Sequence, residues 1–99
     1  MPRDTVRVIA RLKAKPGKEG ELRSVALGLI APTRNEAGCI RYELLENDAD
    51  PAELTFVEEW RDGDTLNAHL ATPYVQHALS RCPELLLGEL DLRRFKLVG

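Results

Sequence analysis

The chain of 99 residues reads as an α+β protein of the ferredoxin-like β-α-β-β-α-β order, with an antiparallel four-stranded sheet and two helical segments on one face. Three observations predict this. Thr5 to Ala14 alternates Val6, Val8, Ala10 and Leu12 with Arg7, Ile9, Arg11 and Lys13, a period of two. Leu22, Val25, Ala26, Leu29, Ile30 and Thr33 then recur at helical spacing. Finally, Cys39–Glu46 and Glu53–Arg61 alternate again across the polar turn Asn47-Asp48-Ala49-Asp50-Pro51, which makes an antiparallel hairpin.

The first strand closes at the turn Lys15-Pro16-Gly17-Lys18. The first helix is expected from about Lys18 to about Asn35, kinked or ended near Pro32, which removes a backbone donor. Glu36-Ala37-Gly38 closes it, with Gly38 free to take a positive φ. In the third strand Leu54, Phe56, Glu58 and Trp60 share the inward face. Asp62-Gly63-Asp64 breaks that strand. A short helix follows, with Asp64 or Thr65 as its N-cap and Leu66, His69 and Leu70 on one face. Pro73 suits the first position of the next helix, whose stripe is Tyr74, Val75, Ala78, Leu79 and Cys82. That helix is expected to end at Pro83-Glu84. Leu85-Leu86-Leu87 is less regular and packs against a neighbour, and a last strand runs from Glu89 to Val98.

Length and composition narrow the function. The chain suits one domain, residues 1–99, able to bury roughly 60–70% of its unfolded surface. A content of 43% hydrophobic and 30% charged residues fits a folded globular protein and argues against disorder. Net charge is −2 with no basic patch, so nucleic acid is not an expected partner. No apolar run approaches the ~20 residues of a membrane span, and the N-terminus has no signal-peptide apolar centre. A cytoplasmic protein that does not engage membranes is the expectation. Cys39 and Cys82 match neither a zinc site nor a CxxC pair and are expected to be free, buried thiols. There is no Gly-rich phosphate loop, no Ser/His/Asp arrangement and no metal-spaced cluster. Pro2, once exposed by loss of Met1, is the amine that a tautomerase uses as base. Arg3-Asp4 after it reads instead as a frayed start.

The inward set concentrates reactive groups. His69 is the first candidate, because an imidazole with a reference pKa of ~6.5 can take or give a proton near neutral pH. Its structural alternative is a core histidine bonded to a carbonyl or to Glu58. Glu58, buried by alternation, must be paired or protonated. It either orients His69 or pairs with Arg41, Arg93 or Arg94. Trp60 stacks on a flat aromatic ligand or is simply core. Tyr42 and Tyr74 each offer a hydroxyl to a substrate oxygen or to the backbone. Arg41 is a cation for holding a substrate oxygen. His77 falls on the second helix as a surface residue, and Asn67 caps or faces solvent. On the opposite sheet face Ile9, Leu45, Val57 and Leu97 ask for a partner, which a homodimer packed sheet to sheet supplies.

The ordered set of motifs resembles the antibiotic biosynthesis monooxygenase domain family, which includes small quinol and anthrone monooxygenases. The resemblance covers nearly the whole chain. It rests on Lys15-Pro16-Gly17-Lys18, on the run Ala31-Pro32-Thr33-Arg34-Asn35-Glu36-Ala37-Gly38-Cys39, on Arg41-Tyr42-Glu43, on Glu58-x-Trp60, and on His69-Leu70-Ala71-Thr72-Pro73. The family position after Thr-Pro is often a second His; here it is Tyr74. The resemblance implies a dimeric α+β barrel with a cavity in each subunit between sheet and helices. It implies a hydroxylated aromatic substrate that reduces dioxygen itself once deprotonated, with no metal, flavin or haem. Haem-degrading relatives carry an Asn on the first strand, where this chain has Ala10, and a Trp near where His69 stands, so haem degradation is not expected.

The resulting expectation is a cofactor-independent monooxygenase that oxidises a hydroquinone or polyphenolic aromatic with dioxygen. His69, Tyr42 and Glu58 would be catalytic, and Trp60, Tyr74 and Arg41 would bind substrate. The alternatives are a non-catalytic dimeric small-molecule-binding or stress-associated module, and an isomerase on the same fold.

Overall fold

A computed structural model describes residues 5–99, so the Pro2 amine lies outside the described residues. In chain order the elements are β1 (Val6–Lys13), α1 (Glu19–Leu27), α2 (Ile30–Arg34), β2 (Cys39–Asn47), β3 (Asp50–Trp60), α3 (Gly63–Leu70), α4 (Pro73–Leu85) and β4 (Asp91–Phe95). The strands form one antiparallel sheet in the order β2-β3-β1-β4, the ferredoxin-like arrangement. No helix among the described residues is long and apolar enough to cross a membrane.

Register sorts the side chains. Tyr42, Glu58, Val8 and Arg94 form one inward row across the sheet, and Leu44, Phe56, Ala10 and Leu92 form the next. Leu22 and Ala26 of α1, Leu66 of α3 and Leu85 of α4 are buried with Val8, Ala10, Phe56 and Trp60 in one core. On the outward face Ile9 and Val57 pair at the centre. Ion pairs surround them: Arg7–Glu59 at 3.5 Å, Arg11–Glu53 at 2.8 Å, and Lys13 with Asp50. This face is therefore more charged than its apolar residues alone foretell.

Several boundaries differ from the sequence expectation, each for a physical reason. The first helical segment is two helices, and it breaks at Gly28-Leu29 rather than at Pro32. A proline ring at position 32 crowds the carbonyl four residues earlier and supplies no N–H to it, so the disruption falls one turn upstream. The N-cap of α3 is Asp62, not Asp64 or Thr65. Asp62 Oδ1 accepts from the Thr65 N–H at 2.8 Å, and Thr65 completes a reciprocal capping box. Helix α4 runs through Pro83 to Leu85. There the end of β1 holds the chain: Lys15 N–H donates to the Leu85 carbonyl at 2.8 Å, and Leu87 N–H donates to the Lys13 carbonyl at 2.7 Å. Local proline bias loses to these long-range bonds. Strand β3 starts at Asp50, because Asn47 and Asp50 side chains accept from the backbone N–H groups of Ala49 and Ala52 and tighten the hairpin. Strand β4 ends at Phe95, short of Val98. Both cysteines are free, and both are half-buried rather than fully buried.

Candidate active site

Trp60 ends β3 pointing inward and is fully buried. Two groups rest on it. Its indole Nε1–H donates to Glu58 Oε1 at 2.9 Å. Its ring lies against the His69 imidazole, with centroids 4.6 Å apart and planes 35° apart. Tyr42, paired with Glu58 across the β2–β3 ladder, meets the same imidazole edge-on at 5.5 Å. It also packs on Phe56 at 5.0 Å. The guanidinium of Arg34 donates twice to the Tyr42 carbonyl, at 2.9 and 3.1 Å, which ties β2 to the end of α2.

His69 is 3% exposed, in the last turn of α3. Its Nδ1 lies 2.9 Å from Glu36 Oε2, and the Tyr74 hydroxyl donates to the same oxygen. Glu36 sits on the connection between α2 and β2, 33 residues away from His69. Gly38 makes this connection possible. Its φ is +85°, and a Cβ built there would lie 2.5 Å from Thr65 Cγ2 on α3. Sequence reasoning missed Glu36 as a site residue, since a carboxylate beyond the end of a helix carries no local signal.

The electrostatics follow from this packing. Desolvation pushes the Glu58 carboxyl above its ordinary 4.5, and the Glu36 carboxylate adds to the rise. The Trp60 hydrogen bond and the His69 charge oppose it. Burial, with Glu58 alongside, also pushes the Tyr42 phenol far above its usual range. The Tyr74 hydroxyl is pushed up to about 12 by desolvation and by its bond to Glu36.

Glu58 therefore makes a measurable prediction. Its folded form binds a proton more tightly than its unfolded form, so between the two pKa values stability falls as pH rises. The wild type should lose stability as pH climbs from 4.5 through the elevated folded value. Glu58→Gln keeps an acceptor for the indole N–H and carries no charge. Urea melts from pH 4 to pH 9 should show this decline reduced in the variant, which becomes the more stable protein at the alkaline end. Parallel curves for the two proteins would contradict the burial argument.

Tyr42, Glu58 and His69 line one end of a cavity of about 70 Å³ between the sheet and helices α1 and α4. The rest of its wall is apolar, mostly aliphatic with Leu22, Ala26 and Leu79 among others, and adds the Phe56 ring and the Cys82 side chain. This is an apolar chamber with proton-transfer groups at one end, the usual make-up of a small-molecule site. The structure brings His69, Tyr42 and Glu58 together on the cavity wall and places the other three candidates off it. Trp60 stands behind His69 and Glu58 rather than on the cavity wall. Tyr74 is half-buried on the far side of Glu36. Arg41 lies on the outward face of β2, exposed, 3.8 Å from Glu43. Glu58 pairs with none of Arg41, Arg93 and Arg94; its partner is the indole. His77 is exposed as expected, and Asn67 Oδ1 accepts from Arg94 at 2.8 Å. Among the described residues no three His, Cys, Asp or Glu side chains gather at metal-binding spacing.

Comparison with known proteins gives the family and the fold of its relatives. The sequence profile of the family described as "Antibiotic biosynthesis monooxygenase" matches residues 5–81. A Synechocystis protein named "Uncharacterized protein sll1783" is 31% identical over 94 residues, covering 95% of this chain. The match spans 64% of that longer relative. The Mycobacterium tuberculosis protein named "Putative monooxygenase Rv0793" is 37% identical over 81 residues, covering 82% of this chain and 79% of that one. The crystal structure of protein SO0527 from Shewanella oneidensis superposes with a TM-score of 0.91 at 32% identity, over 96% of this chain and 92% of that one.

Proposed function

The chain belongs to the antibiotic biosynthesis monooxygenase family, and from that premise we propose that it is a cofactor-independent monooxygenase acting on a hydroquinone or polyphenolic aromatic. The observation that carries this reading is His69 at the polar end of an otherwise apolar cavity. With Nδ1 engaged by Glu36, Nε2 is the ring nitrogen left for a ligand.

In this mechanism His69 Nε2 removes a phenolic proton. The electron-rich anion passes one electron to dioxygen, and the resulting radical pair combines into a carbon-bound peroxide. Protonation of its outer oxygen and loss of the C–H proton then break the O–O bond and leave a carbonyl. Over the whole reaction the substrate gives up four electrons. One oxygen atom stays in the product and the other leaves as water. The protein binds, orients, moves the proton and excludes water. Tyr42, its hydroxyl kept protonated, donates to the substrate oxygen. Glu58 stands beside the imidazole in the cavity wall and limits where the ring can lie. The cavity is small beside the ~300–1,000 Å³ of common ligand sites, so an aromatic ring enters only as the α1 and α4 aliphatics part.

The working unit in this reading is a homodimer in the cytoplasm. Ile40, Leu45, Phe95, Leu97 and Val98 are exposed apolar residues that a second copy would cover. Sedimentation should then return twice the 11.1 kDa chain mass. The function is tested by oxygen uptake against a panel of hydroquinones and anthrones, with product mass read in parallel. Uptake above the spontaneous rate and a gain of one oxygen atom are expected. An unchanged product mass would move the reading to an isomerase, and no turnover with tight binding would move it to a binding module.

A further inference from the structure

One carboxylate oxygen ties three elements together. Glu36 Oε2, from the α2–β2 connection, meets His69 Nδ1 of α3 at 2.9 Å and accepts the Tyr74 hydroxyl of α4. The Glu36 side chain is 15% exposed, so water competes weakly for it. We propose that Glu36 is the positioning residue of His69: it accepts the Nδ1 proton, so that Nε2 presents its lone pair to the cavity, and it balances the charge once Nε2 takes a proton. This rests on the reading of His69 as the base.

Other groups packed around the imidazole do not supply this role. Trp60 presents a ring face, and its only donor is committed to Glu58. Tyr42 meets the ring edge-on. Glu58 lies on the cavity side, where burial favours its neutral form. Burial pushes the Cys39 thiol of β2 up, with the nearby Glu36 carboxylate adding to the rise, so it offers no anion. Glu36 is held in place twice, by Tyr74 and by the Gly38 turn packed against Thr65. A base oriented by a third group is the arrangement general-base catalysis uses, because a neutral imidazole exists as two tautomers and only one has its lone pair at the substrate.

The test uses the ligand-free protein. Imidazole 15N spectra at alkaline pH report the tautomer of each histidine, and the chain has only two. Exposed His77 serves as the internal reference. Wild-type His69 is expected in the Nδ1–H form. Glu36→Ala should lose that preference. Glu36→Gln keeps an acceptor oxygen and should keep the tautomer, while oxygen uptake falls about tenfold or more because the balancing charge is gone. Should Glu36→Ala fail to fold, Glu36→Asp serves, since its shorter side chain withdraws the oxygen and should give the same loss. An Nε2–H wild type, or an unaltered tautomer when the acceptor is removed or withdrawn, overturns the proposal. If the tautomer behaves as expected and no substrate is turned over, the monooxygenase reading fails and the positioning of His69 by Glu36 stands.

Discussion

Replacing His69 with Ala should lower oxygen uptake by about 10²–10⁴-fold, the range a positioned general base contributes. The side chain is 3% exposed, wedged between Trp60 and Tyr42, with its Nδ1 on Glu36. Its removal takes away the base and leaves Glu36 with Tyr74 alone. It also opens space beside the cavity, so folding must be checked in the same preparation by a thermal melt. His69→Gln is the better-packed control, because an amide fills much of the volume and holds no basic nitrogen. Both variants should be impaired alike if the lost proton transfer is what matters. Weakly basic conditions offer a second readout. Substrates whose phenol is already ionised at the assay pH should be oxidised by the variants at closer to the wild-type rate. A folded variant that turns over neutral hydroquinones at full speed would falsify the assignment of His69 as base.

The second large effect concerns Trp60. Its ring is fully buried, supports the His69 imidazole and satisfies Glu58. Truncating a buried aromatic to Ala costs about 3–5 kcal/mol, from lost transfer energy and the cavity left behind. Here the indole donor also vanishes, and a buried carboxyl without its partner adds about 1–3 kcal/mol. A small domain has only about 5–15 kcal/mol in hand. Trp60→Ala should therefore lower the melting temperature by on the order of 15 °C or more, or fail to fold. Trp60→Phe separates the two contributions. It keeps an aromatic face under His69 and deletes only the N–H and part of the volume. Its loss should be a fraction of the Ala variant's. Combined with Glu58→Gln, which replaces the carboxyl left without its donor by an amide that cannot ionise, it should recover part of that loss. Equal melting temperatures for the Ala and Phe variants would show that the aromatic face contributes nothing.

Much of the fold was legible because sheets and amphipathic helices write their burial as a period. Val6 to Leu12, Leu54 to Trp60 and Leu22 to Thr33 each display one, and their faces lie inward as read. Proline and capping effects near boundaries were less legible. Pro32 breaks the helix at Gly28-Leu29, one turn before itself, whereas Pro83 is absorbed within α4 by bonds from β1. The difference lies in distant partners, which no local window contains.

The same division runs through the site. By itself the sequence determined the strand alternation that puts Tyr42, Glu58 and Trp60 on one side of a sheet, the helix face that carries His69, and the motifs that mark the family. Tertiary structure alone decided how these groups are used. It turned the indole N–H to Glu58, set Trp60 behind the imidazole, left Arg41 on the outward face of β2, and joined Glu36 to His69 and Tyr74. The physical reason is that periodicity reports which face a residue takes, while hydrogen bonds between side chains depend on where separate elements meet. Glu36 and His69 stand 33 residues apart in the chain and 2.9 Å apart in space, and only the packing of α3 against the Gly38 turn makes those two facts one.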